Sequence, residues 1–186
     1  MAESIIFVLS CFYFFLPAYF ANMAAPMVAR TGYFKSLAVP IDGGKKYRGE
    51  PILGDHKTWR GAVFAMLAGI IVFYIQQQLF TTPIFNVISL IDYGEAQIGL
   101  VGVFMPLAAV LGDLSAAFAK RRLKLKPGAK FMPWDQVNYV LGNFVVLGPI
   151  LRLELMVWAV LLFFTFFLHI IVNRIGFELG LHKAKW

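Results

Sequence analysis

The stretch Val110-Leu111-Gly112-Asp113-Leu114-Ser115-Ala116-Ala117-Phe118-Ala119-Lys120-Arg121-Arg122 decides how this chain folds. An apolar run carrying a single carboxylate ends abruptly in three cations. That pattern reads as the end of a membrane-spanning helix, with the cations at the lipid–water boundary. A carboxylate inside a span is costly and marks a functional position by default. Asp113 precedes the cations by about two helical turns. At that depth it is well placed to hold a divalent cation beside a water-soluble polyanion.

Working outward, the 186 residues are 60% hydrophobic and include 19 Phe. A soluble domain of this size could not cover that much apolar surface. Four apolar regions are long enough to span, at roughly 4–29, 61–80, 97–119 and 137–173. The last is too long for one helix. Gly148-Pro149, followed by Arg152 and Glu154, predicts a turn that divides it. The expected fold is therefore an all-α integral membrane protein with about five transmembrane helices. Residues 1–186 read as a single membrane-embedded domain, without repeats or linkers. Pro17 and Pro26 predict an interrupted or kinked first span. Cytoplasmic loops at 30–60 and 120–136 are expected to form part of a polar site recessed into the membrane.

The net charge of +7 is unevenly spread. Lys and Arg fall between Arg30 and Arg60, between Lys120 and Lys130, and at Arg174, Lys183 and Lys185; only Arg152 lies elsewhere. Residues 81–96 carry Asp92 and Glu95 and no cation. The positive-inside rule then predicts a multi-pass cell-membrane protein, N-terminus outside, C-terminus and basic loops in the cytoplasm. Such a face attracts anionic head groups, nucleotides or phosphate, and no nucleic acid partner is expected. Trp59, Trp134 and Trp186 sit at expected boundaries, where indoles anchor. The first apolar run lacks a preceding cation and is too long for a signal peptide. The lone Cys11 excludes an internal disulfide. His56, His169 and His182 lack metal-site spacing. Gly49 to Gly54 has phosphate-loop spacing, but Asp55 stands where Lys is required.

Candidate chemistry gathers at four places. Asp113 and Asp135 end and begin adjacent spans, so antiparallel helices would bring both to similar depth. Mg²⁺ is commonly held by one or two carboxylates plus substrate phosphates. Both are assigned as metal ligands and, with Lys120, as catalytic residues; the structural alternative is pairing with nearby cations, such as Lys120 with Asp113. Asn138 follows Asp135 on one helix face, with Gly142 four residues further on. Its amide suits a metal or phosphate, or else a bond between helices. Lys57, Thr58 and Arg60 stand at the mouth of the second span, where cations and free N–H groups suit phosphate. Thr58 is equally suited to cap the helix, and Arg60 to serve as topological charge. Arg121 and Ser115 complete the expected substrate-binding set, although a Ser in a span often bonds its own backbone.

The stretch from Gly112 to Arg122, then Lys126-Pro127-Gly128, then Pro133-Trp134-Asp135-Gln136-x-Asn138-Tyr139-x-x-Gly142, resembles the archaeal CDP-archaeol synthase family. Lys57-Thr58-Trp59-Arg60-Gly61 resembles a second motif of that group, and the whole is distantly similar to bacterial CDP-diacylglycerol synthases. One position departs: Asn138 stands where the family more often carries Asp. The resemblance implies an Mg²⁺-dependent cytidylyltransferase. Its substrates would be CTP and an isoprenoid ether-lipid phosphate, 2,3-di-O-geranylgeranylglyceryl phosphate, and its products CDP-archaeol and pyrophosphate. Two other classes fit a polar intramembrane site. A CDP-alcohol phosphotransferase would need a cluster of Asp at helical spacing, which is absent. An ion-coupled transporter would usually show repeats.

Overall fold

The computed structural model describes residues 2–95, 97–126 and 129–178. Pro127-Gly128, His182, Lys183, Lys185 and Trp186 lie outside the described residues.

Among the described residues there are five long helices: α1 (Ala2–Thr31), α2 (Trp59–Leu79), α4 (Ile98–Arg122), α5 (Trp134–Leu151) and α6 (Leu155–Glu178). A five-residue helix, α3 (Pro83–Val87), interrupts the 81–96 connection. α1, α2, α4 and α6 are long and apolar enough to cross a membrane. α5 is not, because its 18 residues include Asp135, Gln136, Asn138 and Asn143. The last three are buried against the other helices. The expectation of about five membrane helices thus meets four apolar ones and one polar, inward-facing one.

α1 is the hub and packs on α2, α4, α5 and α6. Its core-facing residues Phe14, Phe15 and Tyr19 meet Tyr139 of α5 and Trp158 of α6. Tyr19 and Thr165 of α6 share a buried hydrogen bond of 2.6 Å. Pro17 lacks an N–H and leaves the carbonyl of Tyr13 without its helical donor. Gln76 Nε2 of α2 donates to that carbonyl. The expected interruption is therefore repaired from a neighbouring helix, and α1 runs unbroken through Pro17 and Pro26.

The turn predicted from Gly148-Pro149, Arg152 and Glu154 is present, with residues 152–154 dividing α5 from α6. Pro149 lies in the last turn of α5, where it withdraws only one donor. The helix ends at Arg152, which is left-handed at φ 49°.

α4 and α5 cross closely because two glycines leave space. A Cβ on Gly112 would lie 2.3 Å from the Asn138 carbonyl oxygen, and one on Gly142 2.3 Å from that of Ala108. Only glycine fits at these contacts, a small-residue crossing of the kind membrane helices use. The crossing sets Asp113 on α4 beside the first turn of α5.

Candidate active site

The site lies where the chain entering α2, the C-terminal end of α4 and the N-terminal end of α5 converge. A cleft of about 150 Å³ is lined there by Leu53, Gly54, His56, Lys57, Asp113, Ala116, Ala117, Lys120, Arg121 and Asp135. Residues separated by up to 82 positions in the chain thus share one polar opening at the end of an apolar bundle.

Two ion pairs dominate it. Lys57 Nζ donates to both oxygens of Asp113, at 2.7 and 2.6 Å. Lys120 Nζ donates to both oxygens of Asp135, at 3.0 and 2.8 Å. Asp135 Oδ2 also accepts the Phe131 N–H at 3.0 Å. Asp113 and Lys120 share a face of α4, yet each pairs with another segment, so the Asp113–Lys120 pairing considered from spacing does not form. The carboxylate side chains of Asp113 and Asp135 keep 38% and 28% of their exposure. Both remain reachable from the cleft. Arg121 lines the same wall, and its buried Nε has no hydrogen-bond partner.

Among the described residues no group of three or more His, Cys, Asp or Glu could enclose a metal. The side chains lining the cleft that could ligate a metal are two carboxylates from different helices and the imidazole of His56. That set is too small for an all-protein cage. Its carboxylates fit Mg²⁺, which completes its shell with phosphate oxygens and water. Asn138 Oδ1, one turn from Asp135, is buried without a partner, while its Nδ2 donates to the Asp135 carbonyl at 3.3 Å.

Asn138 does not line the cleft, and three other expected substrate-binding residues sit elsewhere. Arg60 is 9% exposed, and its guanidinium donates to the carbonyls of Tyr33 (2.9 Å) and Ala29 (3.2 Å). It caps the C-terminal end of α1, whose last carbonyls have no helical donors, and does not line the cleft. Thr58 Oγ1 accepts the Gly61 N–H at 3.3 Å and so serves as the N-cap of α2. Ser115 is exposed and donates to Leu111 O at 2.8 Å, the back-bonding that hydroxyls in helices favour.

Two residues were missed from sequence alone. Asp42 Oδ2 accepts the N–H groups of Leu53 (2.8 Å) and Gly54 (3.1 Å), and its Oδ1 that of Gly44 (3.0 Å). Desolvation would raise its pKa, but these backbone donors outweigh it and hold the carboxyl below its ordinary 3.8. The run Asp42-Gly43-Gly44 is a turn signal that could have found it. Arg122 spans three carbonyls of a small hairpin, β1 (Lys46–Tyr47) with β2 (Glu50–Pro51). Nothing in a run of cations distinguishes it from Arg121.

Comparisons with known proteins find relatives over most of the chain. The family described as CarS-like, CDP-archaeol synthase, matches residues 4–186. CDP-archaeol synthase of Thermofilum pendens is 34% identical, over 92% of this chain and 78% of its own length. The enzymes of that name from Methanococcus aeolicus (31%; 96% and 97%) and Thermococcus gammatolerans (34%; 94% and 94%) are also similar. A solved structure described as an intramembrane enzyme for archaeal membrane lipids biosynthesis superposes with a TM-score of 0.68. It is 26% identical, over 87% of this chain and 90% of that one.

Proposed function

The chain belongs to the CDP-archaeol synthase family, and we propose that the cleft between α2, α4 and α5 is where its reaction occurs. It is a multi-pass membrane enzyme. It transfers CMP from CTP to an archaeal ether-lipid phosphate, forming CDP-archaeol. Membership sets aside the CDP-alcohol and transporter readings.

The observation that carries the assignment is the pair of carboxylates from two helices at one opening, each already matched to a lysine, with Arg121 beside them. The two carboxylates, two lysines and Arg121 sum to one positive charge, far short of a triphosphate's negative charge. A divalent cation would make up part of the difference, which supports Mg²⁺ dependence. Asp113 and Asp135 would hold Mg²⁺ together with phosphate oxygens of CTP. When bound, it supplies charge neutralisation to those phosphates and to the departing pyrophosphate.

Lys57 and Lys120 would pass from carboxylate to phosphate oxygens as the nucleotide enters. Compact ammonium groups on flexible stems suit such an exchange. Arg121 would grip the phosphate chain with two donors. The lipid would approach from the bilayer with its geranylgeranyl chains among apolar helices. Its phosphate oxygen attacks the α-phosphorus; the new P–O bond forms as the bond to the β-phosphate bridging oxygen breaks, and pyrophosphate leaves. The attacking monoester is already anionic, so positioning and charge stabilisation carry the rate and no general base is required. The charge distribution supports a cytoplasmic cleft with the N-terminus outside.

The test is pyrophosphate release from CTP with a panel of lipid phosphates, in chelated buffer and with Mg²⁺ restored. Asp113→Ala should lose turnover while keeping its helical content. Retained turnover refutes the assignment.

A further inference from the structure

The wall of the cleft that carries Lys57 is not part of a helix. Residues 38–58 form a loop, and its order rests on side chains outside the cleft. Asp42 holds Leu53 and Gly54, both of which line the cleft, from eleven and twelve positions away. Gly54 has φ +96°, a conformation L side chains rarely adopt. Ile41 N–H donates to Lys57 O at 2.8 Å, and Lys57 N–H to Gly54 O at 3.1 Å. The backbone of Lys57 is thus held from both sides. The hairpin turns at Arg48 and Gly49, both at positive φ, as a two-residue turn needs.

Arg122 attaches this loop to α4. Its Nη1 donates to Tyr47 O and its Nη2 to Glu50 O and Pro51 O. The guanidinium also lies 5.3 Å from the Tyr47 ring centroid and 5.0 Å from that of Phe118. It follows directly on Lys120 and Arg121, whose side chains also line the cleft. A planar fork with several donors can hold three carbonyls and stack at once; an ammonium cannot.

Resting on the site assignment above, we infer that Arg122 and Asp42 are positioning residues, which lock the Leu53–Lys57 backbone to the end of α4 so that Lys57 and Arg121 face one bound triphosphate. Neither residue lines the cleft. Asp113, Asp135 and Lys120 stand on α4 and α5, outside the loop, and the Lys120–Asp135 pair does not involve it. Loosening the loop therefore weakens nucleotide binding more than the chemical step.

The experiment uses full-length, detergent-solubilised Arg122→Lys and Asp42→Asn, with CTP and the lipid phosphate varied separately. Asp113→Asn is run in parallel, and thermal midpoints are measured on the same samples. Arg122→Lys keeps the charge and removes the fork. The expected result is a KM for CTP raised about ten- to a hundredfold, with kcat, the KM for lipid and the thermal midpoint close to wild type. Wild-type kinetics in Arg122→Lys overturns the inference. A parallel fall of kcat and midpoint with KM for CTP unchanged also overturns it, because that is what a purely structural residue gives. If Asp42→Asn does not fold, Arg122→Lys decides alone. Turnover retained in Asp113→Asn would instead defeat the site assignment. Loss there alongside wild-type Arg122→Lys defeats only the positioning role.

Discussion

Two basic stretches of this chain, Lys57 to Arg60 and Lys120 to Arg122, are used in parallel. Each sends a lysine to a carboxylate on another segment: Lys57 to Asp113, Lys120 to Asp135. Each sends an arginine to backbone carbonyls: Arg60 to Ala29 and Tyr33, Arg122 to Tyr47, Glu50 and Pro51. The difference follows from chemistry. A point charge on a flexible stem can change partners, whereas a rigid fork suits fixed carbonyls. The stretches differ in one respect. The second has an additional cation, Arg121, which lines the cleft while Arg122 holds the loop. The first has none to spare, because Arg60 is committed to closing α1.

The most severe way to break this parallel is to remove the carboxylates. Asp113→Asn and Asp135→Asn should each lower kcat/KM about a thousandfold or more, measured by pyrophosphate release, with far-ultraviolet circular dichroism unchanged. Next come the lysines. Lys57→Met and Lys120→Met should each cost about a hundredfold in kcat/KM for CTP; equal losses would sharpen the symmetry, and a loss in one alone would break it.

Gly112→Ala tests the helix contact that lets Lys120 reach Asp135. Its Cβ would strike the Asn138 carbonyl, and we expect about 2 kcal/mol of destabilisation in chemical unfolding. Arg60→Met strands two carbonyls at the end of α1 and should cost about 1–2 kcal/mol of stability. Its KM for CTP should stay at the wild-type value, which would separate the role of Arg60 at the end of α1 from that of Lys57 in the cleft.

The smallest effect concerns pH. The Asp42 carboxyl has a depressed folded-state pKa, so its contribution is complete above the unfolded value and fades as pH falls through the folded one. Limited proteolysis of the 38–58 loop should increase in acid below about pH 4, and Asp42→Asn should be cleaved readily without that dependence.

The long helices were legible because apolar runs and charge boundaries report them directly. Their interruptions were less so. Pro17 reads as a break only while its neighbours are unknown; Gln76, 59 residues away, supplies the donor that keeps α1 whole. Pro149 in a last turn withdraws little, and the helix ends at Arg152, within the turn that Gly148-Pro149, Arg152 and Glu154 predict. In the site, residue type and depth brought forward Asp113, Asp135, Lys57, Lys120 and Arg121, which the fold gathers at one cleft. Arg60 and Thr58 were read toward phosphate because a sequence lists the cations and hydroxyls at a helix mouth without saying which way each turns. Asp42 escaped because its distant partners, Leu53 and Gly54, are backbone groups, which leave no mark in a sequence beyond the turn signal Asp42-Gly43-Gly44.

A structure determined with CTP and Mg²⁺ bound tests the central claim most directly. It should contain the metal in contact with the carboxylates of Asp113 and Asp135, and the ammonium groups of Lys57 and Lys120 on phosphate oxygens. Nucleotide bound elsewhere, with both lysine–aspartate pairs intact, would contradict it.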